Sequence, residues 1–219
     1  MQVTRCVMIK LRSLINLNKM VYSDKIKSKH QEKMDMETSI IPEVTIPQKP
    51  YPENASKQTL SELRWLLNYN EGVLDHKFIK EGDDVLDVFE KYCNENSLSF
   101  DRSYYKAILK ESAKVVLNLK YYYNRPRPYQ LAEFYGIKDF EIHKLDTANT
   151  PSYPSGHSAQ GYLIGNILGN KNPNHFEEFI NLGKFISESR LMARAHFPSD
   201  IRFGKKVGEL IFNYIKGKV

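Results

Sequence analysis

The chain has 219 residues, of which 41% are hydrophobic and 26% are charged, a composition typical of a soluble globular domain. No stretch approaches the run of about 18 to 20 apolar residues that a membrane-spanning helix needs, so the sequence predicts no transmembrane segment. The net charge of +6 arises entirely within residues 1–33, and basic and acidic side chains balance over residues 34–219. Because a neutral domain does not generally attract polyanions, we expect it to bind no nucleic acid.

The cysteines exclude two further classes of protein. Cys6 and Cys93 are the only two in the sequence, too few for a disulfide framework or a cysteine metal cluster. We therefore expect no metal site and a reducing, cytoplasmic location. The N-terminus also lacks the clean apolar segment of a secretory signal, because Lys10, Arg12 and Lys19 interrupt it.

Residues 1–55 are interpreted as a basic, flexible N-terminal arm with a proline-rich lead-in, and residues 56–219 as the folded domain. Apolar residues from Met8 to Leu17 are compatible with a short amphipathic helix that contacts a membrane surface. A mobile tail is the favoured interpretation of this stretch. The four prolines between residues 42 and 52 exclude helix interior from the lead-in.

From Thr59 onward, apolar residues recur at three- and four-residue intervals, the spacing of amphipathic helices. The pattern predicts six helices, which begin near Thr59, Asp83 or Asp84, Asp101, Ser155, Asn174 and Pro198. Thr59 and Glu62 match a capping box at the start of the first. With no alternating strand pattern, the sequence predicts an all-α, single-domain helical bundle.

The third predicted helix ends near Tyr123, because Pro126 and Pro128 prevent its continuation. Residues 129–153 show little periodicity and are predicted to form a long loop, and long loops inside compact domains are usually functional. This loop and residues 68–82 are expected to border any ligand pocket of the domain.

Three separated motifs carry side chains suited to bind a phosphate group. They are Lys120 with Arg127-Pro128, then Pro154-Ser155-Gly156-His157, then Ser189-Arg190 with His196 and Asp200. Their lysine and arginines supply positive charge, the arginines through planar forks that match phosphate oxygens. A helix that begins at Ser155 adds free N–H groups, and Gly156 lets the backbone approach an anion.

The two histidines add the chemistry of ester cleavage. With Pro198 in the first turn of the last helix, His196 is within reach of Asp200. A carboxylate that accepts from Nδ1–H would leave Nε2 as a nucleophile, and His157 can protonate the leaving oxygen. Each element alone is more often a turn, a cap or a surface pair, but their order, spacing and residue types together point to phosphoryl transfer.

These motifs resemble the three-part signature of the type 2 phosphatidic acid phosphatase/vanadium haloperoxidase superfamily. The chain is most similar to the soluble class A acid phosphatases, including the Ser-Tyr-Pro-Ser-Gly-His sequence at 152–157. The resemblance implies a metal-independent phosphomonoester hydrolase without a cofactor, whose substrate is a small phosphate ester. It implies a phosphohistidine at His196, oriented by Asp200, with His157 as acid and then base. It also implies an oxyanion site formed by Lys120, Arg127, Ser155, Gly156 and Arg190.

Two alternatives remain open from the sequence. A haloperoxidase would use the same pocket for vanadate, with His196 as its axial ligand, although the chain is short for that branch. A non-catalytic binding protein would act through its basic tail. Ser189 is expected to support the site, whereas Arg125 and Arg194 fall outside the signature. Arg125 is compatible with a pocket residue or a solvated one, and solvation is the favoured interpretation. The sequence is compatible with a homo-oligomer and specifies no physiological substrate.

Overall fold

Helices make up most of residues 16–218, the part of the chain that the computed structural model describes. In chain order the α-helices are α1 Ser28–Asp35, α2 Lys57–Asn68, α3 His76–Glu81, α4 Val85–Glu95, α5 Arg102–Tyr123, α6 Pro128–Phe134, α7 Gly156–Lys171, α8 Phe176–Met192 and α9 Pro198–Ile215. Short 3-10 turns occupy Tyr69–Gly72 and Pro173–His175. Residues 16–218 contain no strand, and the all-α prediction is confirmed.

Local capping chemistry explains where several helices begin. The carboxylates of Asp84 and Asp101 accept backbone N–H bonds at the starts of α4 and α5. The predicted Thr59–Glu62 capping box is wrong. Ser56 caps α2 by accepting from the Thr59 N–H at 3.1 Å, and Glu62 is bonded to residues of α9 instead. Asn174 likewise lies in a 3-10 turn and does not cap α8.

Part of the segment predicted to be a loop forms helix α6. Pro128 occupies its first position, where a missing N–H costs no hydrogen bond. The Gln130 side chain accepts from the Arg127 N–H at 2.9 Å and closes the first turn. Helices α1 and α3 were also not predicted, because eight and six residues are too few to show a clear apolar period.

Helix α7 lies at the centre of the core, between α8 and α9. It is buried on most of its circumference, which explains why its apolar residues do not form a single stripe. Glycines permit the close approach of its neighbours. A methyl group on Gly183 of α8 would lie 3.1 Å from the Gly161 carbonyl, and one on Gly208 of α9 would lie 2.2 Å from the Ala159 oxygen.

The N-terminal segment from residue 16 to 55 packs on this bundle, where the sequence suggested a flexible lead-in. Leu17, Ile41 and Asn54 are each at most 2% exposed. The Glu111 carboxylate on α5 accepts from three consecutive backbone N–H groups, those of residues 39–41, at 2.7 to 2.9 Å. Prolines prevent helix formation between residues 42 and 52, and the buried Glu111 carboxylate satisfies the extended backbone just before them. The suggested membrane-contacting helix falls mostly on residues 1–15, outside the described residues.

None of the helices described between residues 16 and 218 combines the length and apolar character needed to cross a membrane.

Candidate active site

The first motif lies where α5 ends. Lys120 is in its last turn, and Asn124 ends the helix in the left-handed conformation, with φ 48°. Arg127 then precedes Pro128 at the start of α6. Both cations are buried, with Lys120 4% and Arg127 1% exposed. A chain reversal between the two helices thus places both charges inside the bundle.

Both cations of the first motif bond to the loop that leads into the second motif. The Lys120 ammonium donates to the Pro151 carbonyl at 2.6 Å, and the Arg127 Nε donates to the Thr150 carbonyl at 2.9 Å. The Ser152 N–H returns a bond to the Arg125 carbonyl at 2.9 Å. These bonds fix the path of the loop just before Ser155.

The third motif brings its histidine against Arg127. An Nη1 of Arg127 lies 3.0 Å from His196 Nε2 and 2.7 Å from the Ala195 carbonyl. A guanidinium can only donate, so Nε2 must accept and carries a lone pair. The ring proton is therefore on Nδ1, which lies 3.4 Å from the Asp200 carboxylate. This is the tautomer that a nucleophilic Nε2 requires.

Asp200 is completely buried and its two oxygens have different partners. One oxygen accepts from Arg125 at 2.5 Å. The other accepts from the Ser152 hydroxyl and from the Phe197 N–H. Burial alone would raise the pKa of Asp200, but the Arg125 charge, the nearby His196 ring and the hydrogen bond from Ser152 lower it below its ordinary value. Asp200 is thus a fixed anion behind His196.

His157 and Arg190 meet at the turn between α3 and α4. His157 Nε2 lies 3.0 Å from the Asp83 carbonyl oxygen, so that nitrogen carries a proton. Arg190 donates to the Asp83 carboxylate at 2.7 Å and to the Ile79 carbonyl at 3.1 Å. Ser189 accepts from the Arg190 Nε at 3.0 Å, a contact in keeping with the supporting role predicted for it.

The second motif opens α7. The Ser155 hydroxyl caps the helix by accepting from the Ser158 N–H at 3.3 Å, and the first N–H groups of a helix have no partner inside it. Gly156 is the first helical residue, and a methyl group there would lie 3.7 Å from Cε of Lys120. The start of α7 therefore faces the Lys120 side chain, and both favour a negative charge at this helix end.

The electrostatics reflect several cations held together out of water. Burial, followed by the Arg127 charge, lowers the pKa of Lys120 well below its usual value. Burial also lowers the pKa of Arg127, to about 10, and that of Arg190. The positive charges lie close enough to repel one another, and this repulsion is energetically unfavourable unless an anion compensates it. A tetrahedral oxyanion would relieve that cost.

The surroundings lower the pKa values of both imidazoles. Burial and then the Arg190 charge lower the pKa of His157 to about 3. Burial and then the Arg127 charge lower that of His196 well below 6.5. The Lys120 charge acts on both rings. The acid role predicted for His157 therefore requires a negative charge nearby that raises this pKa.

The eight predicted site residues thus converge on one region, but one prediction about its surroundings is wrong. Arg125, expected to be solvated, has no exposed surface. It stacks on the Phe197 ring at 3.9 Å and pairs with Asp200, because a buried carboxylate needs a compensating charge. Arg194 is also buried and donates to the Gly72 carbonyl at 2.8 Å. This bond stabilises the loops beside the site.

Sequence reasoning missed the roles of Asp83, Ser152 and Glu62. The sequence indicates Asp83 only as a possible helix cap, whereas in the structure its carboxylate pairs with Arg190. Ser152 belongs to the Ser-Tyr-Pro-Ser-Gly-His sequence, which does not reveal that its hydroxyl donates to Asp200. Two sequence signals were available, and both are weak: a glycine before Asp83, and a serine two positions before a proline. The glycine is required in the structure, because a methyl group on Gly82 would lie 2.4 Å from the Ser189 hydroxyl.

A cavity of about 580 Å³ opens beside Arg127 and Ala195. The loop after α6 forms much of its wall, in keeping with the prediction that this loop borders a ligand pocket. Its lining mixes apolar side chains, such as Tyr129 and Leu145, with polar ones, such as Asn149. The cavity is large enough for the organic group of a small phosphate ester.

No cluster of three or more histidine, cysteine, aspartate or glutamate side chains suited to a metal ion is found within residues 16–218.

Comparison with known proteins agrees with this geometry. The PAP2 superfamily profile matches residues 106–216, about half of the chain, and the chain belongs to this superfamily.

The chain is 33% identical over 93 residues to a non-specific acid phosphatase of Salmonella typhimurium (strain LT2), an alignment that covers 42% of this chain and 36% of the relative. It is 31% identical over 80 residues to a non-specific acid phosphatase of Providencia stuartii, covering 36% and 31%. The chain thus aligns with about a third of the length of these relatives.

Proposed function

We propose that this protein hydrolyses phosphate monoesters without a metal ion, through a phosphohistidine formed at Nε2 of His196. The observation that carries the proposal is the contact between Arg127 Nη1 and His196 Nε2 at 3.0 Å. It places a nitrogen lone pair directly beside a buried phosphate-binding cation. The names of the aligned relatives, acid phosphatases, support the same reaction class.

In the first step the ester phosphate binds among Lys120, Arg127, Arg190 and the N–H groups at the start of α7. His196 Nε2 attacks phosphorus, the P–N bond forms and the bond to the ester oxygen breaks. His157 gives its proton to the departing alkoxide or aryloxide. Asp200 stabilises the positive imidazole ring that results. The cations neutralise charge on the transferring group throughout.

In the second step His157 takes a proton from a water molecule, which attacks phosphorus and displaces His196. Inorganic phosphate leaves and both histidines return to their starting states. The proton for the first step is taken up with the substrate, and it leaves again with the inorganic phosphate. A phosphate anion beside His157 raises the pKa of this imidazole, because the negative charge favours the protonated ring and opposes the lowering by burial and Arg190.

The first test is hydrolysis of a simple aryl phosphate by the purified full chain in the presence of a chelator. We expect turnover that the chelator does not diminish and that vanadate inhibits. A His196→Ala variant is expected to lose about a thousandfold or more in kcat. A His175→Ala variant, whose imidazole bonds to Tyr92 away from the site, serves as the matched control and is expected to retain activity.

Turnover that the chelator abolishes, or full activity of the His196→Ala variant, would contradict the proposal. The cytoplasmic location predicted from the sequence stays a prediction, which cell fractionation tests separately.

A further inference from the structure

Arg125 connects the proposed nucleophile to a helix outside the matched family region. Its Nη1 donates to the Asp200 carboxylate at 2.5 Å and to the Ser199 hydroxyl at 2.7 Å. Its Nη2 lies 3.6 Å from the Glu62 carboxylate on α2. One guanidinium is therefore shared between two carboxylates, one of which is Asp200, adjacent to His196.

Glu62 is itself held in place by two further bonds. One of its oxygens accepts from the Ser199 hydroxyl at 2.6 Å, and the other accepts from Arg202 at 3.0 Å. The residue is only 7% exposed, so water screens its charge weakly. The charges alternate along a continuous line: Arg202, Glu62, Arg125, Asp200 and then the imidazole of His196.

This line is separate from the phosphate-binding cations. The titratable and charged groups that face His196 or Asp200 from the packed elements are Lys120, Arg127, Arg125, Tyr51 and Tyr153. Lys120 and Arg127 are in the proposed substrate site. Tyr51 and Tyr153 are phenols that are uncharged at neutral pH. Arg125 is the one cation of this set that contacts Asp200 without belonging to the oxyanion site.

We propose that Glu62 and Arg125 are positioning residues that set how strongly Asp200 stabilises the charged imidazole of His196. The proposal rests on the assignment of His196 as the nucleophile. If Arg125 were paired with Asp200 alone, it would neutralise that carboxylate and weaken its effect on the ring. Glu62 shares the Arg125 charge and leaves Asp200 more negative. Helix α2 thereby influences a reaction whose signature residues all lie after residue 119.

The two residues are expected to act in opposite directions. Glu62→Gln removes a negative charge, so the Asp200 carboxylate is more fully neutralised and the pKa of His196 falls. Arg125→Gln removes a positive charge, so Asp200 acts more strongly on the ring and the pKa of His196 rises. A purely structural role would lower stability in both variants without opposite effects on the ring.

The test follows the His196 imidazole signals by NMR during a pH titration of the full chain saturated with inorganic phosphate. It is paired with pH profiles of kcat/KM for an aryl phosphate. Glu62→Gln is expected to lower the titration midpoint by about 0.5 pH unit or more, and Arg125→Gln to raise it. The acid limb of kcat/KM is expected to move in the same directions. Glu177→Gln, an exposed carboxylate on α8, is the matched control and is expected to leave the midpoint unchanged.

The isosteric Glu62→Gln variant decides the question even if Arg125→Gln does not fold. A midpoint equal to that of Glu177→Gln, or one that rises, would overturn the proposal. The two assignments fail separately. Inactive wild-type protein with opposite NMR shifts would contradict only the proposed function, whereas active protein with unchanged midpoints would contradict only the roles of Glu62 and Arg125.

Discussion

At the scale of single residues, Asp83 makes two different contacts with the site. Its carbonyl oxygen accepts from His157, and its carboxylate holds Arg190. The carboxylate also raises the pKa of His157, against the larger lowering by burial and the Arg190 charge. One residue therefore sets the position of a proposed phosphate-binding cation and the proton affinity of the proposed acid.

Asp83→Asn is expected to lower kcat about tenfold, with a smaller change in KM. The backbone contact to His157 remains, but Arg190 loses its ion pair and His157 loses a charge that favours its protonated form. Steady-state kinetics at several pH values measure the effect. Asp87→Asn, which removes a surface carboxylate bound to Arg102, is the control, and equal kcat in the two variants would refute the role given to Asp83.

At the scale of helices, the contact of α9 with α7 aligns the second and third motifs. Helix α9 begins just after His196 and carries Asp200, whereas α7 begins with Gly156 and His157. The backbone oxygen of Asp200 accepts from the Ser155 N–H at 3.1 Å. The distance between these two helices thus determines how the two proposed catalytic histidines face one phosphate.

Gly208→Ala is expected to lower the free energy of unfolding by about 2 kcal/mol and to reduce kcat as well. Its methyl group would lie 2.2 Å from the Ala159 oxygen, a backbone atom that can move only if α7 and α9 separate. Urea denaturation and kinetics measure the two effects. Gly217→Ala, with nothing within 4 Å of the added methyl group, is expected to be neutral, and equal stability of the two variants would contradict this account.

Helix-scale prediction succeeded where a cap and an apolar period coincide, as at Asp84 and Asp101. It failed at α6, because prolines such as Pro126 and Pro128 are compatible both with the end of one helix and with the start of the next. The proline at the first position of α6 is stabilised by the Gln130 side chain, a local contact that the apolar period does not reveal.

At the scale of the whole molecule, the three motifs were predictable because their residue types occur in one order along the sequence. Their surroundings were not. Glu62 and Asp83 contact residues more than a hundred positions away, and only the packing of α2 and of the α3–α4 turn brings them close. Arg125 is two positions from Arg127, yet its burial depends on Asp200, 75 positions further on.

The N-terminal segment illustrates the same limit. Prolines and basic residues gave it the composition of a free arm, but residues 39–41 bond to Glu111 and Tyr51 contributes to the packing of Arg125. Its extended backbone is held by partners on α5 rather than by its own hydrogen bonds. The bonds that hold residues 39–41 have no signature in the segment's own sequence, because their partner is on α5.

The covalent attachment of phosphate to His196 is the central claim, and trapping it is the most direct test. A His157→Ala variant mixed with a dinitrophenyl phosphate, whose leaving group needs no protonation, is expected to accumulate the intermediate, because the base for its hydrolysis is missing. Alkaline quenching followed by peptide mass spectrometry locates the phosphate. We predict a phosphoryl group on the imidazole of His196, whereas release of the dinitrophenolate with an unmodified His196, or with phosphate on another residue, would contradict the account.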